Sequence, residues 1–159
     1  MAVGMRVSQA VGEGRHAAVG RIGFGAAGMA CAGMSVSAVG FWIAGPALAG
    51  GFVKDPEVIL VAARLLGVAA IFQLFDGVQV VGGGALRGLA DVRVPAVITF
   101  GAYWLLAIPA AYGLGLHTRL GAAGVWIGLA AGLAAAAVAL MVRFGRLSRP
   151  RAVAGLRGV

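Results

Sequence analysis

The feature that most constrains this sequence is a set of long stretches without any charged side chain. Three of them, residues 22–53, 94–116 and 120–142, contain no Asp, Glu, Lys or Arg over 32, 23 and 23 residues. A helix needs about 20 apolar residues to cross the hydrocarbon core of a bilayer. A fourth stretch, residues 58–86, is also long enough and carries only Arg64 and Asp76 as charged residues. The sequence therefore predicts four membrane-spanning helices.

The overall composition supports lipid as the solvent of this chain. Hydrophobic residues make up 61% of the sequence and charged residues 11%. Soluble domains are about 45–50% apolar and about 25% charged. A soluble fold of this size leaves roughly a third of its chain surface exposed, so it could not hide this much apolar side chain. The composition therefore excludes a soluble globular domain and a disordered chain.

These observations predict an all-α, polytopic membrane helix bundle. We expect four spans at residues 20–44, 58–84, 94–114 and 121–143, within a transmembrane bundle over 20–144. Gly and Pro mark the expected turns, the first of them at Gly45-Pro46. Residues 1–19 are predicted to be the end of a preceding helix and a linker, and residues 145–159 a basic tail.

Lysine and arginine are distributed unevenly around the predicted spans. Ten of them lie in segments 1–21, 87–93 and 143–159, whereas only Lys54 and Arg119 lie in the two other loops. Cytoplasmic flanks carry the excess of basic residues in membrane proteins, so both termini are predicted to be cytoplasmic. The same distribution argues against a nucleic-acid partner, because basic grooves cluster Lys and Arg with aromatic residues.

The sequence lacks the residue sets of a catalytic or metal centre. Cys31 is the only cysteine, which excludes an internal disulfide and a cysteine-clustered zinc site. His16 and His117 are far apart in the sequence and have no metal-ligand spacing around them. Residues 23–28 match G-x-G-x-x-G, but they lie inside a charge-free span rather than between a strand and a helix. We expect neither an enzyme nor a cofactor.

Asp76 is the one acidic residue inside a predicted span. A carboxylate at the bilayer centre costs about 2.5–3.5 kcal/mol on insertion scales, and such groups normally serve ion or substrate pathways. Gln73 and Gln79 lie three residues on either side of Asp76, and Phe72 lies one helical turn before it. These four residues are the predicted site for a proton, a sodium ion or an organic cation. The alternative is a buried carboxylate that only hydrogen-bonds a neighbouring helix.

Small residues at helical spacing predict where the spans approach each other. The last span carries Gly124, Gly128 and Gly132 on one stripe, and the first span carries Gly28. Helices in lipid associate through such close backbone approach, either with each other or with helices outside this chain. In the third span, Pro109 removes a backbone hydrogen bond and is expected to kink the helix.

Several segments of the sequence resemble MATE (multidrug and toxic compound extrusion) transporters of the NorM and DinF type. Residues 6–15 resemble the segment that closes the eighth helix of that family, and residues 84–95 resemble the loop between its tenth and eleventh helices. Residues 103–109 and 124–128 are similar to parts of the eleventh and twelfth helices. Ser8 and Ala90 stand where the family usually has glycine.

The resemblance implies a twelve-helix, two-lobed fold that exports organic cations or drugs against a proton or sodium gradient across the bacterial plasma membrane. Asp76 aligns with an acidic residue of the tenth helix that NorM-type members use for cation coupling. The chain would then be a C-terminal fragment, inactive alone and dependent on the missing N-terminal lobe in cis or in trans. Two alternatives remain: a small oligomeric four-span transporter, and a structural or assembly subunit.

Overall fold

The computed structural model describes residues 2–149, and every regular element in that range is helical. The elements are α1 (Ala2–Gly12), α2 (His16–Phe52), α3 (Pro56–Gly88), α4 (Arg93–Gly101), a π-helical segment (Ala102–Ala107), α5 (Ile108–Leu116) and α6 (Ala122–Leu147). Four helical stretches are long and apolar enough to cross a membrane, with α4, the π-helical segment and α5 forming the third. The predicted all-α membrane bundle is confirmed. Residues 150–159 of the predicted tail lie outside the described residues.

The turn expected at Gly45-Pro46 is not formed, because α2 continues through Pro46 to Phe52. Proline is tolerated inside membrane helices when neighbouring helices stabilise the backbone around it. Here Gly45 is buried against α3, where an added Cβ would lie 3.8 Å from the Ala63 carbonyl oxygen. The chain instead leaves the helix at Val53, and Asp55 caps α3 by accepting a hydrogen bond from the Glu57 N–H at 2.9 Å. The first span is therefore longer than predicted.

The third span accommodates Pro109 through the π-helical segment. Proline has no N–H, so the carbonyl four residues before it loses its usual donor. The Ile108 N–H donates to the Tyr103 carbonyl, five residues back instead of four. This change of hydrogen-bond partner is the π-type turn that inserts one residue into a helix. The predicted disturbance at Pro109 thus takes the form of a widened turn just before it.

The glycines of α6 allow a close backbone contact with the third span. Gly124, Gly128 and Gly132 are all buried. A Cβ on Gly128 would lie 2.6 Å from the Ala110 carbonyl carbon, and one on Gly132 would lie 2.9 Å from the Ala107 Cα. Since real Cβ atoms do not approach backbone so closely, hydrogen is the only side chain that fits here. This stripe packs α6 against the third span.

Gly28 does not take part in the packing of α2 against the described helices. It is exposed, and a Cβ built on it would meet nothing within 4 Å. The buried positions of α2 near it are Gly23 and Ala27. Gly23 lies against the ring of Phe144 on α6, at a distance too short for any side chain. The expected contact at Gly28 is therefore replaced by one on the neighbouring face of α2.

A hydrophobic core joins α1 and the start of α2 to the ends of α3 and α6. Its fully buried members include Val7, Val19, Leu86 and Phe144. The backbones of α1 and α3 also touch, because a Cβ on Gly4 would lie 2.8 Å from the Gly84 carbonyl oxygen. This core holds α1 against α2 and α3 at the end of the bundle that carries most of the arginines. We call it the arginine-rich end (Arg6, Arg15, Arg21, Arg87, Arg93, Arg143, Arg146 and Arg149).

The contact of Gly128 with the third span predicts a large effect of one methyl group. Gly128→Ala forces the new Cβ into the backbone of Ala110 and Ala111, so we expect a loss of about 1–3 kcal/mol in the free energy of unfolding. Gly28→Ala is the matched control and should cost nothing, since its Cβ meets open space. Unfolding in detergent, followed by circular dichroism, measures both. Equal stability of the two variants would contradict this packing.

Helix α3 ends in a Schellman motif with a non-glycine residue in the left-handed position. The Asp91 N–H donates to the Leu86 carbonyl and the Ala90 N–H to the Arg87 carbonyl, both at 3.0 Å. Ala90 has a φ of 61°, the one positive φ of a non-glycine residue within residues 2–149. Alanine pays a steric cost in this conformation that glycine avoids.

Ala90→Gly is therefore expected to stabilise the chain by about 1 kcal/mol, less the entropy that glycine adds to the unfolded state. The control is Ala47→Gly in the interior of α2, where the same change should destabilise by roughly the same amount. Thermal unfolding in detergent compares the two. A loss of stability in Ala90→Gly would show that the left-handed alanine is not strained.

Candidate functional site

A cavity of about 520 Å³ opens between α3, the third span and α6. Its polar lining consists of Asp76, Gln79, Arg87, Thr99 and Tyr103, and the remaining side chains around it are apolar or glycine. Asp76 and Gln79 come from α3, whereas Thr99 and Tyr103 come from the third span. The predicted acidic residue therefore faces a space large enough for a small ligand.

Asp76 is half-buried in this cavity and keeps its oxygen atoms available. Within residues 2–149, its carboxylate forms neither a hydrogen bond nor an ion pair. The structure thus gives no support to the alternative of a carboxylate that only bonds a neighbouring helix. A negative group without a partner in an apolar span is a strong attractor for a cation.

Tyr103 is a polar residue of the cavity that the sequence did not identify as part of the site. Its hydroxyl donates to Oε1 of Gln79 at 3.4 Å, across the interface between the third span and α3. This bond orients the Gln79 side chain beside the carboxylate. Twenty-four residues separate the two in sequence, and no spacing rule relates residues on different helices. Only the packing of the spans brings Tyr103 to the site.

Gln73 and Phe72 do not line the cavity. Gln73 Nε2 donates to the Met34 carbonyl on α2 at 3.5 Å, and the Phe72 ring packs edge-on against Trp126 with centroids 5.9 Å apart. Gln73 and Gln79 are six residues apart, which places them about 120° apart around α3. Phe72 lies four residues before Asp76, which places it about 6 Å away along the helix axis. The structure therefore brings together Asp76 and Gln79, and it leaves the other two predicted residues elsewhere.

An ion pair fixes the loop next to the cavity mouth. Arg143 Nε lies 2.5 Å from Asp91 Oδ2, with 32% and 13% of the two side chains exposed. The Schellman motif at the end of α3 sets the position of Asp91, and α6 supplies the arginine. The pair ties the loop between α3 and α4 to the last helix. Sequence spacing does not indicate this pair, because the partners are 52 residues apart.

No group of three His, Cys, Asp or Glu side chains that could hold a metal ion occurs within residues 2–149.

The MatE family profile matches residues 1–113, which is more than half of the sequence. The chain belongs to the MatE family. The resemblance to MATE transporters is thus confirmed. The chain is a multi-pass membrane protein, and its family is one of multidrug efflux transporters.

Relatives of this MatE chain carry multidrug resistance names. The multidrug resistance protein NorM of Burkholderia vietnamiensis is 43% identical over 148 residues, which cover 90% of this chain and 32% of the relative. A probable NorM of Pseudomonas syringae pv. tomato is 43% identical over 164 residues, covering 96% and 35%. MdtK of Yersinia pestis is 49% identical over 94 residues, covering 57% and 21%. The chain spans about a third of the length of the NorM relatives that it matches.

The Asp91–Arg143 pair is testable by a double-mutant cycle. Asp91→Asn or Arg143→Gln alone leaves the other charge partly buried and unpaired, so each should lower the free energy of unfolding by about 1.5–3 kcal/mol. The double variant should lose less than the sum of the two single losses, because both charges are then removed. Unfolding in detergent gives all four values. Additive losses would mean that the two side chains do not interact.

Proposed function

We propose that this chain forms part of a multidrug exporter in which a proton or sodium ion and an organic cation or drug exchange across the bacterial plasma membrane. The observation that carries the proposal is the unpartnered carboxylate of Asp76 in a cavity inside the bundle. The multidrug resistance names of the NorM relatives support the same class of substrate. The arginine asymmetry supports an arrangement with both termini in the cytoplasm.

A single carboxylate suits antiport because it is neutralised by one cation at a time. A proton removes its charge, a sodium ion compensates it, and a bound organic cation does the same from within the cavity. Binding of one ligand therefore excludes the other, which is the exchange that antiport requires. Gln79 and Tyr103 add polar oxygen atoms beside the carboxylate, and the apolar remainder of the cavity suits the body of a drug.

The exporter that we propose needs more than the helices described here. Alternating access relies on two bodies that rock about a site between them. This chain matches about a third of the NorM relatives, which is less than one such body in a two-lobed protein. We propose that it acts together with the remaining helices of a MatE protein, joined to them or bound as a separate chain, and that it does not export drugs alone.

The test uses a chimera in which this chain replaces the matching segment of NorM from Burkholderia vietnamiensis, produced in cells without other drug exporters. We expect the chimera to give drug efflux driven by a cation gradient, and Asp76→Asn to reduce efflux to the level of empty cells. Asparagine keeps the size of the side chain but neither titrates nor carries charge. Asp55→Asn is the matched control, since asparagine caps a helix as well as aspartate does.

Three outcomes would contradict these proposals separately. Efflux by the Asp76→Asn chimera that still responds fully to the proton and sodium gradients would rule out Asp76 as the coupling site. Efflux by the 159-residue chain alone would rule out its dependence on a further lobe and would favour the small oligomeric transporter. A chimera that inserts in the membrane but never exports would contradict the proposed function itself.

A further inference from the structure

A groove between α1 and α2 combines exposed arginines with an apolar floor at the arginine-rich end. Two neighbouring cavities, of about 340 and 420 Å³, share Arg6 and Ile22 as lining residues. The first also contacts Gln9 and Arg15. The second continues along α2 past Arg21. The groove lies away from the cavity around Asp76 and shares no residue with it.

The apolar part of the groove follows one face of α2. Ile22, Gly25, Ala26 and Met29 line it at the spacing of a single helical face, over about 10 Å of helix. The face remains uncovered by the described helices, because Met29 is 72% exposed and a Cβ on Gly25 would meet nothing within 4 Å. This apolar strip runs from the arginines at the end of the groove into the membrane span. Its length matches the part of a lipid acyl chain that lies next to the headgroup.

The charged part of the groove carries two uncompensated guanidinium groups. Within residues 2–149, Arg6 and Arg21 have no ion-pair partner. Arg15 is different, because its Nε lies 2.6 Å from Oε2 of Glu13. The Gln9 amide, together with Arg15, holds the pKa of Glu13 below its usual value, so this carboxylate stays ionised and neutralises Arg15. A net positive charge remains at the mouth of an apolar groove.

We propose that this groove binds an anionic phospholipid, with the phosphate between Arg6 and Arg21 and an acyl chain along the Ile22–Met29 face of α2. Guanidinium groups bind phosphate oxygen atoms through charge-assisted, often bidentate, hydrogen bonds. Basic pockets beside membrane helices are known as a general class of anionic headgroup sites. The combination of phosphate-binding arginines with an adjoining acyl strip selects an anionic phospholipid over a zwitterionic phospholipid, a free anion or a protein helix.

The first experiment measures headgroup binding by native mass spectrometry of the full chain in detergent, with phosphatidylglycerol as the probe and phosphatidylcholine as the reference lipid. Arg6→Gln and Arg21→Gln should each weaken binding of the first phosphatidylglycerol about fivefold, as expected for one basic residue at a lipid surface. The control is the pair Arg93→Gln and Arg146→Gln, two exposed arginines at the same end that do not line the groove. Equal weakening by the control pair, or none by the test pair, would overturn the proposal.

The second experiment tests the acyl strip with a matched pair of glycines. Gly25→Leu places its Cβ where no described atom lies within 4 Å and extends into the groove, so it should weaken phosphatidylglycerol binding by a similar factor while the chain stays folded. Gly28→Leu is the control, because it also meets open space but lies outside the groove. Unchanged binding by Gly25→Leu would overturn the proposed acyl contact.

Two further measurements separate the lipid from other occupants. Inorganic phosphate should not displace phosphatidylglycerol from the chain, since it has no acyl part, and displacement at equal concentration would identify the site as one for free anions. The NorM chimera should bind phosphatidylglycerol with the same dependence on Arg6 and Arg21. Loss of binding in the chimera would mean that protein covers the groove, which would overturn a lipid site.

Discussion

The backbone contact between α6 and the third span is the constraint on which the rest of this bundle depends. In lipid there is no hydrophobic driving force for helix association, so helices associate through close packing. Gly124, Gly128 and Gly132 allow α6 to lie directly on the backbone of the third span. Because α6 also packs against α3, through Leu140 and Met141 at Gly82, the three elements enclose a shared space. The cavity around Asp76 is the result of that arrangement.

The few acidic residues of the chain occupy very different electrostatic surroundings. Glu13 and Asp91 lie at the arginine-rich end, and each is paired with an arginine. Asp76 lies inside a span and has no such partner within residues 2–149. The paired carboxylates stabilise loops and helix ends, where water and arginine lower the free-energy cost of a negative charge. For Asp76, no group within residues 2–149 offsets the cost of a negative charge inside the membrane, and a bound cation would offset it.

The sequence was sufficient for the number of spans and for placing one acidic residue, Asp76, inside a span, since both depend on where charge is absent from long apolar stretches. The sequence did not predict that α2 continues through Gly45-Pro46, because the helices packed around a proline decide whether it ends a membrane helix. Gly28 shows the same limit: a stripe of small residues predicts a contact but not which face of the helix makes it. Tyr103 and the split between Gln79 and Gln73 arise from the packing of separate helices, which helical spacing within α3 does not encode.

The third span, which contains the π-helical segment, both lines the cavity and packs against α6. Thr99 and Tyr103 line the cavity, whereas Ala107, the last residue of the segment, and Ala111 beyond it lie against the glycines of α6. These four residues follow one another at intervals of four, and in a regular α-helix each such step turns the position by about 40° around the axis. The widened turn, with its hydrogen bond reaching five residues back, changes that angle within the segment. One continuous helix thereby lines the cavity with some of its side chains and packs against α6 with others, with no loop between them.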